Sequence, residues 1–175
     1  MYRERMETLK EWKVSKNRKP LIIRGARQVG KTWLMKEFGK LYYENYAYIN
    51  FDNNSRMDIL FNEEFDLDRI IQGLKIESGI NIEPENTLII FDEIQETPNA
   101  LKALKYFYEN ANEYHIVAAG SLLGVAMHQG TSFPVGKVNF MDLMPLSFFE
   151  FLDALGQEHL LNLLKNNEFD MISVF

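Results

Sequence analysis

Leu21-Ile22-Ile23-Arg24-Gly25-Ala26-Arg27-Gln28-Val29-Gly30-Lys31-Thr32 decides how the rest of the chain is read. Three apolar residues without polar alternation predict a strand covered on both faces, the habit of a central parallel strand. The strand runs into a loop that satisfies G-x-x-x-x-G-K-[ST] at every fixed position. A helix is predicted over 31–41, with Leu34, Phe38 and Leu41 at helical spacing. In that context successive N–H groups of the loop point inward as an anion nest, and glycine permits the close approach. The helix behind adds its N-terminal partial charge. Gly25, Ala26, Arg27, Gln28, Val29, Gly30, Lys31 and Thr32, with Trp33 just beyond, are therefore expected to hold nucleotide phosphates. Lys31 would reach the β- and γ-phosphates as a compact cation. Thr32 would offer a hydroxyl to Mg²⁺, which takes oxygen ligands in octahedral geometry.

Working outward, Leu88-Ile89-Ile90-Phe91-Asp92-Glu93 sets four apolar residues before two carboxylates. In a doubly wound sheet ligands sit at the carboxyl ends of the strands. Asp92 is expected in the magnesium shell, and Glu93 is expected to polarise an attacking water as general base. Tyr46–Phe51, rich in aromatic residues, reads as a strand between the loop and this acidic end. One extra strand, with a Glu after the Asp, describes the additional-strand class of P-loop folds. The expectation is a three-layer α/β domain with a parallel five-stranded sheet in the order 5-1-4-3-2.

The remaining elements alternate, the signature of this class. Residues 3–14 read as a helix with Met6, Leu9 and Trp12 on one side. Asp66 is placed to cap a helix through about Ser78, with Leu67, Ile70, Ile71 and Leu74 inward and Gly79 at its end. Thr87–Phe91 is the third strand. Thr97-Pro98 opens a helix carrying Leu101, Leu104 and Tyr108. His115–Ala119 and Val138–Leu143 are the fourth and fifth strands. Ser147-Phe148-Phe149-Glu150 matches a capping box, with Leu146 and Phe151 in hydrophobic-staple positions, for a helix to about Leu155 followed by Gly156. Leu160, Leu161, Leu163 and Leu164 read most simply as a buried helix face, with an exposed docking surface as the alternative. The apolar run Met171–Phe175 looks like the middle of a longer chain. The expected division is a nucleotide-binding domain over 1–155, with 156–175 beginning a helical lid or a linker to a C-terminal region.

At 46% apolar and 13% aromatic the chain can bury a core, so disorder is not its default. With no cysteine, a disulfide framework and thiolate metal sites are excluded, as suits a reducing cytosol. No apolar segment follows the charged N-terminus as a signal peptide would, and none is long enough to span a bilayer. A cytoplasmic location is expected. Net charge is −6, split as 12 Lys/Arg against 4 Asp/Glu (+8) over 1–40 and 7 against 21 (−14) over 41–175. The basic segment suggests an anionic ligand, or a solvated helix face; the acidic body argues against broad nucleic-acid binding. His115, His128 and His159 lack metal-ligand spacing, and Gly120-Ser121-Leu122-Leu123-Gly124 lacks that of a serine nucleophile elbow.

Arg24–Thr32, Phe91-Asp92-Glu93-Ile94-Gln95, Ala119-Gly120-Ser121 and Leu143–Phe151 together closely resemble the prokaryotic AAA-like ATPases, over about residues 1–155. The resemblance implies an AAA-type core, ATP as ligand, magnesium-dependent hydrolysis, and a C-terminal domain of uncharacterised function, which usually follows in that family. By position, Ser121 would be the polar residue that senses the γ-phosphate, or else a helix N-cap. Trp12 and Tyr2 would either pack near the adenine or belong to the core. No arginine follows Arg69, and Lys137 stands where relatives often carry arginine; lysine lacks the planar fork. An arginine finger would then come from self-association or a partner, Arg27 being a further candidate. Slow hydrolysis is expected, because a missing finger costs about 10³–10⁵ in rate. The alternatives are a nucleotide-gated switch module with little hydrolysis, and such a module associated with DNA.

Overall fold

The structure is a computed structural model that describes residues 3–62, 65–120 and 136–166. In chain order its elements are α1 (Arg5–Val14), β1 (Leu21–Arg24), α2 (Lys31–Tyr42), β2 (Asn45–Asn50), α3 (Ser55–Asn62), α4 (Leu67–Ser78), β3 (Thr87–Asp92), a 3₁₀ turn (Ile94–Glu96), α5 (Pro98–Asn110), β4 (His115–Ala119), β5 (Asn139–Asp142), α6 (Phe148–Ala154) and α7 (Glu158–Lys165). The sheet has five strands in the order β2-β3-β4-β1-β5, and every pairing is parallel. This is the order expected from the sequence.

Alternation of side chains along the strands makes the three layers. Leu88 and Ile90 of β3, with Leu21 and Ile23 of β1, face one side. There they pack with Met6, Leu9 and Trp12 of α1 and Leu34, Met35 and Phe38 of α2. Ile89, Phe91 and Ile22 face the other side, against Met57 and Phe61 of α3, Ile70, Ile71 and Leu74 of α4, and Leu101, Leu104 and Phe107 of α5. β3 is buried along its whole length, so it reads as an unbroken apolar run until Asp92. Trp12 belongs to the core: its ring packs on Phe38 and on His115 at the start of β4, and its Nε1 donates to the Lys19 carbonyl at 2.7 Å. That position lies toward the N-terminal ends of the strands, away from the phosphate loop.

Local signals are met where the chain caps itself. Asp66 Oδ1 accepts the Arg69 N–H at 3.1 Å, and Gly79 ends α4 in the left-handed region at φ 69°. Ser147 and Glu150 form the capping box of α6. Other expectations are corrected. Leu41 is 58% exposed, because the buried stripe of α2 continues from Phe38 to Gly39 rather than to Leu41. Thr97 does occupy the N-cap position of α5, but its hydroxyl donates to Asp58 of α3 at 2.6 Å instead of accepting from the helix. Leu146 and Phe151, in the staple positions, are both exposed. The leucines of α7 are half-buried against α6 and none is fully buried. β5 is two residues shorter than expected. α3 was not expected: it is short, it buries only Met57 and Phe61, and exposed Ile59 blurs its period.

Candidate functional site

The parallel register brings the carboxyl ends of the strands to one edge. Asp92 ends β3 opposite Asn50 of β2 and Ala119 of β4, and β1 ends at Arg24 opposite Asp142 of β5. The loop after β1 therefore opens beside the end of β3. Gly25 is demanded by packing, since a Cβ there would run into the carbonyl oxygen of Leu143. Gln28 and Gly30 take positive φ, 64° and 92°, and these reversals curl the backbone into the concave shape of a nest. Gly30 then caps α2, which begins at Lys31.

Lys31 is 6% exposed, and its ammonium arches back over the loop to donate to the carbonyls of Gly25 (2.9 Å) and Ala26 (2.7 Å). Burial lowers its pKa from the ordinary lysine value, against the pull of the Glu93 and Asp92 carboxylates. Thr32, one residue into the helix, donates its hydroxyl to Asp92 Oδ2 at 2.6 Å. Residues 60 apart in sequence thus meet in one contact. Asp92 is 5% exposed, and its Oδ2 also accepts the hydroxyl of Tyr48 at 3.0 Å. Burial and the Asp92 charge both push the Tyr48 phenol above its ordinary pKa.

Glu93 sits in the left-handed region at φ 52°, ψ 41°, uncommon for a residue with a side chain and a feature that clusters at functional sites. Buried Ile94 pins the turn that follows. The Gln95 amide donates to Glu93 Oε2 at 2.7 Å and to Glu96 Oε1 at 3.1 Å. A cavity of about 380 Å³ joins Arg27, Gln28, Gly30, Lys31, Thr32, Trp33 and Glu93. Loop backbone, the cations of Arg27 and Lys31, the Thr32 hydroxyl and the Glu93 carboxylate are thereby gathered around one space, and Asp92 is tied to it through Thr32. Thr32 and Asp92 offer hard oxygen donors at a single point, which fits Mg²⁺. Among the described residues no cluster of three or more His, Asp or Glu could hold a metal ion by itself. A cation would draw its remaining oxygens from phosphate and water, as magnesium commonly does.

Gly25 to Trp33, Asp92 and Glu93 lie together at the carboxyl ends of β1 and β3. Ser121 and Tyr2 lie outside the described residues. Lys137 is not at this site: it precedes β5, at the opposite edge of the sheet, and pairs with Glu109 of α5 at 2.9 Å. Three contributors were not singled out for this site from the sequence. Tyr48 was read only as a strand aromatic. In the sequence Gln95 is one residue of the Phe91–Gln95 motif, with no role of its own. Arg3, buried at 4% exposure, reaches the carbonyl of Val29 in the loop. A polar residue two positions after Glu93 was the one readable signal.

Among the described residues no helix is long and apolar enough to cross a membrane. An uncharacterized protein of Methanocaldococcus jannaschii is 29% identical over 133 residues, which are 75% of this chain and 27% of that protein. The Walker-type ATPase of Pyrococcus abyssi superposes with a TM-score of 0.57 at 17% identity, covering 89% of this chain and 58% of that one. The Aeropyrum pernix Orc1 protein, solved in complex with DNA, gives 0.51 at 15% identity, covering 90% and 50%. The chain spans about half the length of these structures and 27% of the curated relative. At such identities the structural likeness is one of fold, a P-loop ATPase sheet with its helices. Residues 17–152 match the AAA domain family, and over that span the chain belongs to it as an AAA-like P-loop ATPase domain.

Proposed function

We propose that this chain binds ATP with magnesium through Gly25–Thr32 and hydrolyses its β–γ bond. The observation that supports the reading is the contact of Thr32 with Asp92, with Lys31, Thr32 and Glu93 lining one cavity. With a triphosphate in the loop, Lys31 exchanges the carbonyls of Gly25 and Ala26 for anionic oxygens. Thr32 and Asp92 would hold the magnesium, whose charge would neutralise that of the phosphates. Glu93 takes the proton of the attacking water. Ser121 follows β4 and is assigned to γ-phosphate sensing on the resemblance alone. The nucleotide-binding unit is taken as 1–155, with 156–175 leading toward a lid or further region, in a cytoplasmic protein.

One sequence observation favours a second reading. No arginine follows Arg69, so a stabilising arginine from the later strands is not available from this stretch. Turnover is then slow without a second copy or a partner, and a nucleotide-gated switch is the limiting case. DNA association is a weaker suggestion, resting on the basic first 40 residues and on the fold shared with Orc1.

The test is MgATP binding and steady-state hydrolysis for the protein, Lys31→Ala and Glu93→Gln. The reading expects Lys31→Ala to abolish binding and Glu93→Gln to bind ATP while losing turnover. ATP bound tightly with no turnover at any protein concentration selects the switch. Binding indifferent to Lys31→Ala removes both readings.

A further inference from the structure

Arg3 is almost wholly buried, which is rare for arginine. Its Nη1 donates to the carbonyl of Val29 at 3.2 Å and its Nη2 to the carbonyl of Met144 at 2.8 Å. Its Nε lies 3.2 Å from Oε1 of Glu150, close enough to pair charges though out of line for a hydrogen bond. Glu150 is 7% exposed and is held in turn: Oε1 accepts the Glu4 N–H at 2.9 Å, and Oε2 the Ser147 N–H at 2.8 Å. One guanidinium therefore joins the phosphate loop, the segment after β5 and the first turn of α6. Two carbonyls and a carboxylate from three segments call for the rigid fork of arginine, which lysine lacks.

The Val29 contact bears on the loop. The Val29 carbonyl and the Gly30 N–H belong to one planar trans peptide, so they point in opposite directions. A guanidinium that holds the carbonyl on one side turns the N–H to the other. Gly30 lines the cavity with Lys31 and Thr32, and a Cβ on it would lie 3.7 Å from Arg3 Nη1. Arg3 thus packs against this very peptide. A buried ion pair is a weak source of stability, so its place in the fold asks for another reason.

We infer that Arg3 is a positioning residue for phosphate binding: it fixes the Val29–Gly30 peptide so that the Gly30 N–H serves as a donor in the nest, and Glu150 anchors it. The inference rests on the proposed binding of nucleotide phosphates in this loop. Arg3 acts through the backbone and touches no phosphate in this role.

Pyrophosphate is the probe, since it reports the loop without a base or sugar, with ATP measured alongside. Affinities are compared for the protein, Arg3→Met, Arg3→Lys, Glu150→Gln and Lys31→Ala, with folding checked by circular dichroism and Tm. Arg3→Met is expected to weaken both ligands about tenfold, the worth of one charge-assisted hydrogen bond. Arg3→Lys and Glu150→Gln should fall between it and the unaltered protein. The Gly30 amide resonance should shift on pyrophosphate binding in the unaltered protein and shift less in Arg3→Met. A merely structural Arg3 would lower Tm but leave the folded variant's affinity and the Gly30 shift unchanged, and that outcome overturns the inference. If Arg3→Met does not fold, Arg3→Lys and Glu150→Gln decide by the same criterion. If Lys31→Ala binds pyrophosphate normally, the loop is not the phosphate site and the proposed function fails first. If Lys31→Ala abolishes binding while folded Arg3 and Glu150 variants bind normally, only the inference on Arg3 fails.

Discussion

Replacing Tyr48 by phenylalanine removes one oxygen from a point where three elements meet. Tyr48 comes from β2, Thr32 from α2 and Asp92 from β3, and both hydroxyls donate to the same Asp92 oxygen, at 3.0 and 2.6 Å. The ring is kept, so no cavity opens, and the Lys36 ammonium 3.4 Å from the ring centroid keeps its aromatic face. The change therefore isolates one hydrogen bond to a buried carboxylate. Such bonds contribute about 1.5–3 kcal/mol, and the half-buried phenol argues for the lower end. At about 2–4 °C per kcal/mol for a chain of this size, Tm should fall by about 3–6 °C. The same loss frees Asp92 to rotate away from Thr32. If these two hold magnesium, the half-saturating Mg²⁺ concentration for turnover should rise about tenfold, as when a partner of a metal ligand is removed. Thermal melts and a Mg²⁺ titration of ATP hydrolysis measure the two effects, with Tyr46→Phe on the same strand as control. A Tyr48→Phe protein that matches Tyr46→Phe in both would refute the claim that Tyr48 orients Asp92.

Gln95→Leu keeps the side chain's bulk but removes the donor that holds Glu93 Oε2; kcat is expected to fall about tenfold with KM for ATP unchanged, as for loss of a group that orients a base. Equal changes in kcat and KM, or none, would count against that role. His115 is buried and bonded to the Tyr43 hydroxyl, and its pKa is lowered from 6.5 to about 4, first by burial and then by Arg18 and Lys13. Because the folded value is depressed, its contribution is intact above pH 6.5. It is lost as pH falls toward 4, where the unfolded chain takes up a proton that the folded chain refuses. This contribution is at most about 3 kcal/mol, lowered by any water that reaches the ring. His115→Gln should flatten the fall of Tm between pH 6.5 and 4.5, and an unchanged slope would show that other groups carry it.

The phosphate loop and the acidic end of β3 were legible in the sequence because each is written locally, and the sheet order followed from the class of fold that the two together indicate. A glycine-framed loop between an apolar strand and a helix has few other uses, and a strand buried on both faces shows as an unbroken apolar run. Capping at Asp66 and Ser147 is equally local, since each side chain serves a backbone group three residues away. Thr97 marks where that logic ends: it holds a cap position, yet Asp58, 39 residues earlier, takes its hydroxyl. Leu41 and α3 show the same limit in packing, where a period of 3.6 leaves the face of a helix end, or of a short helix, for the neighbours to decide.

The sequence by itself determined the fold class, the residues of the loop and the carboxylates expected to face it. Only the tertiary structure decided which side chains support them. Tyr48 reaches Asp92 from the neighbouring strand, and Arg3 from near the start of the sequence reaches Val29 and Glu150. Directional contacts between distant residues depend on strand register and helix placement to within about an ångström. Local composition carries no record of such placement.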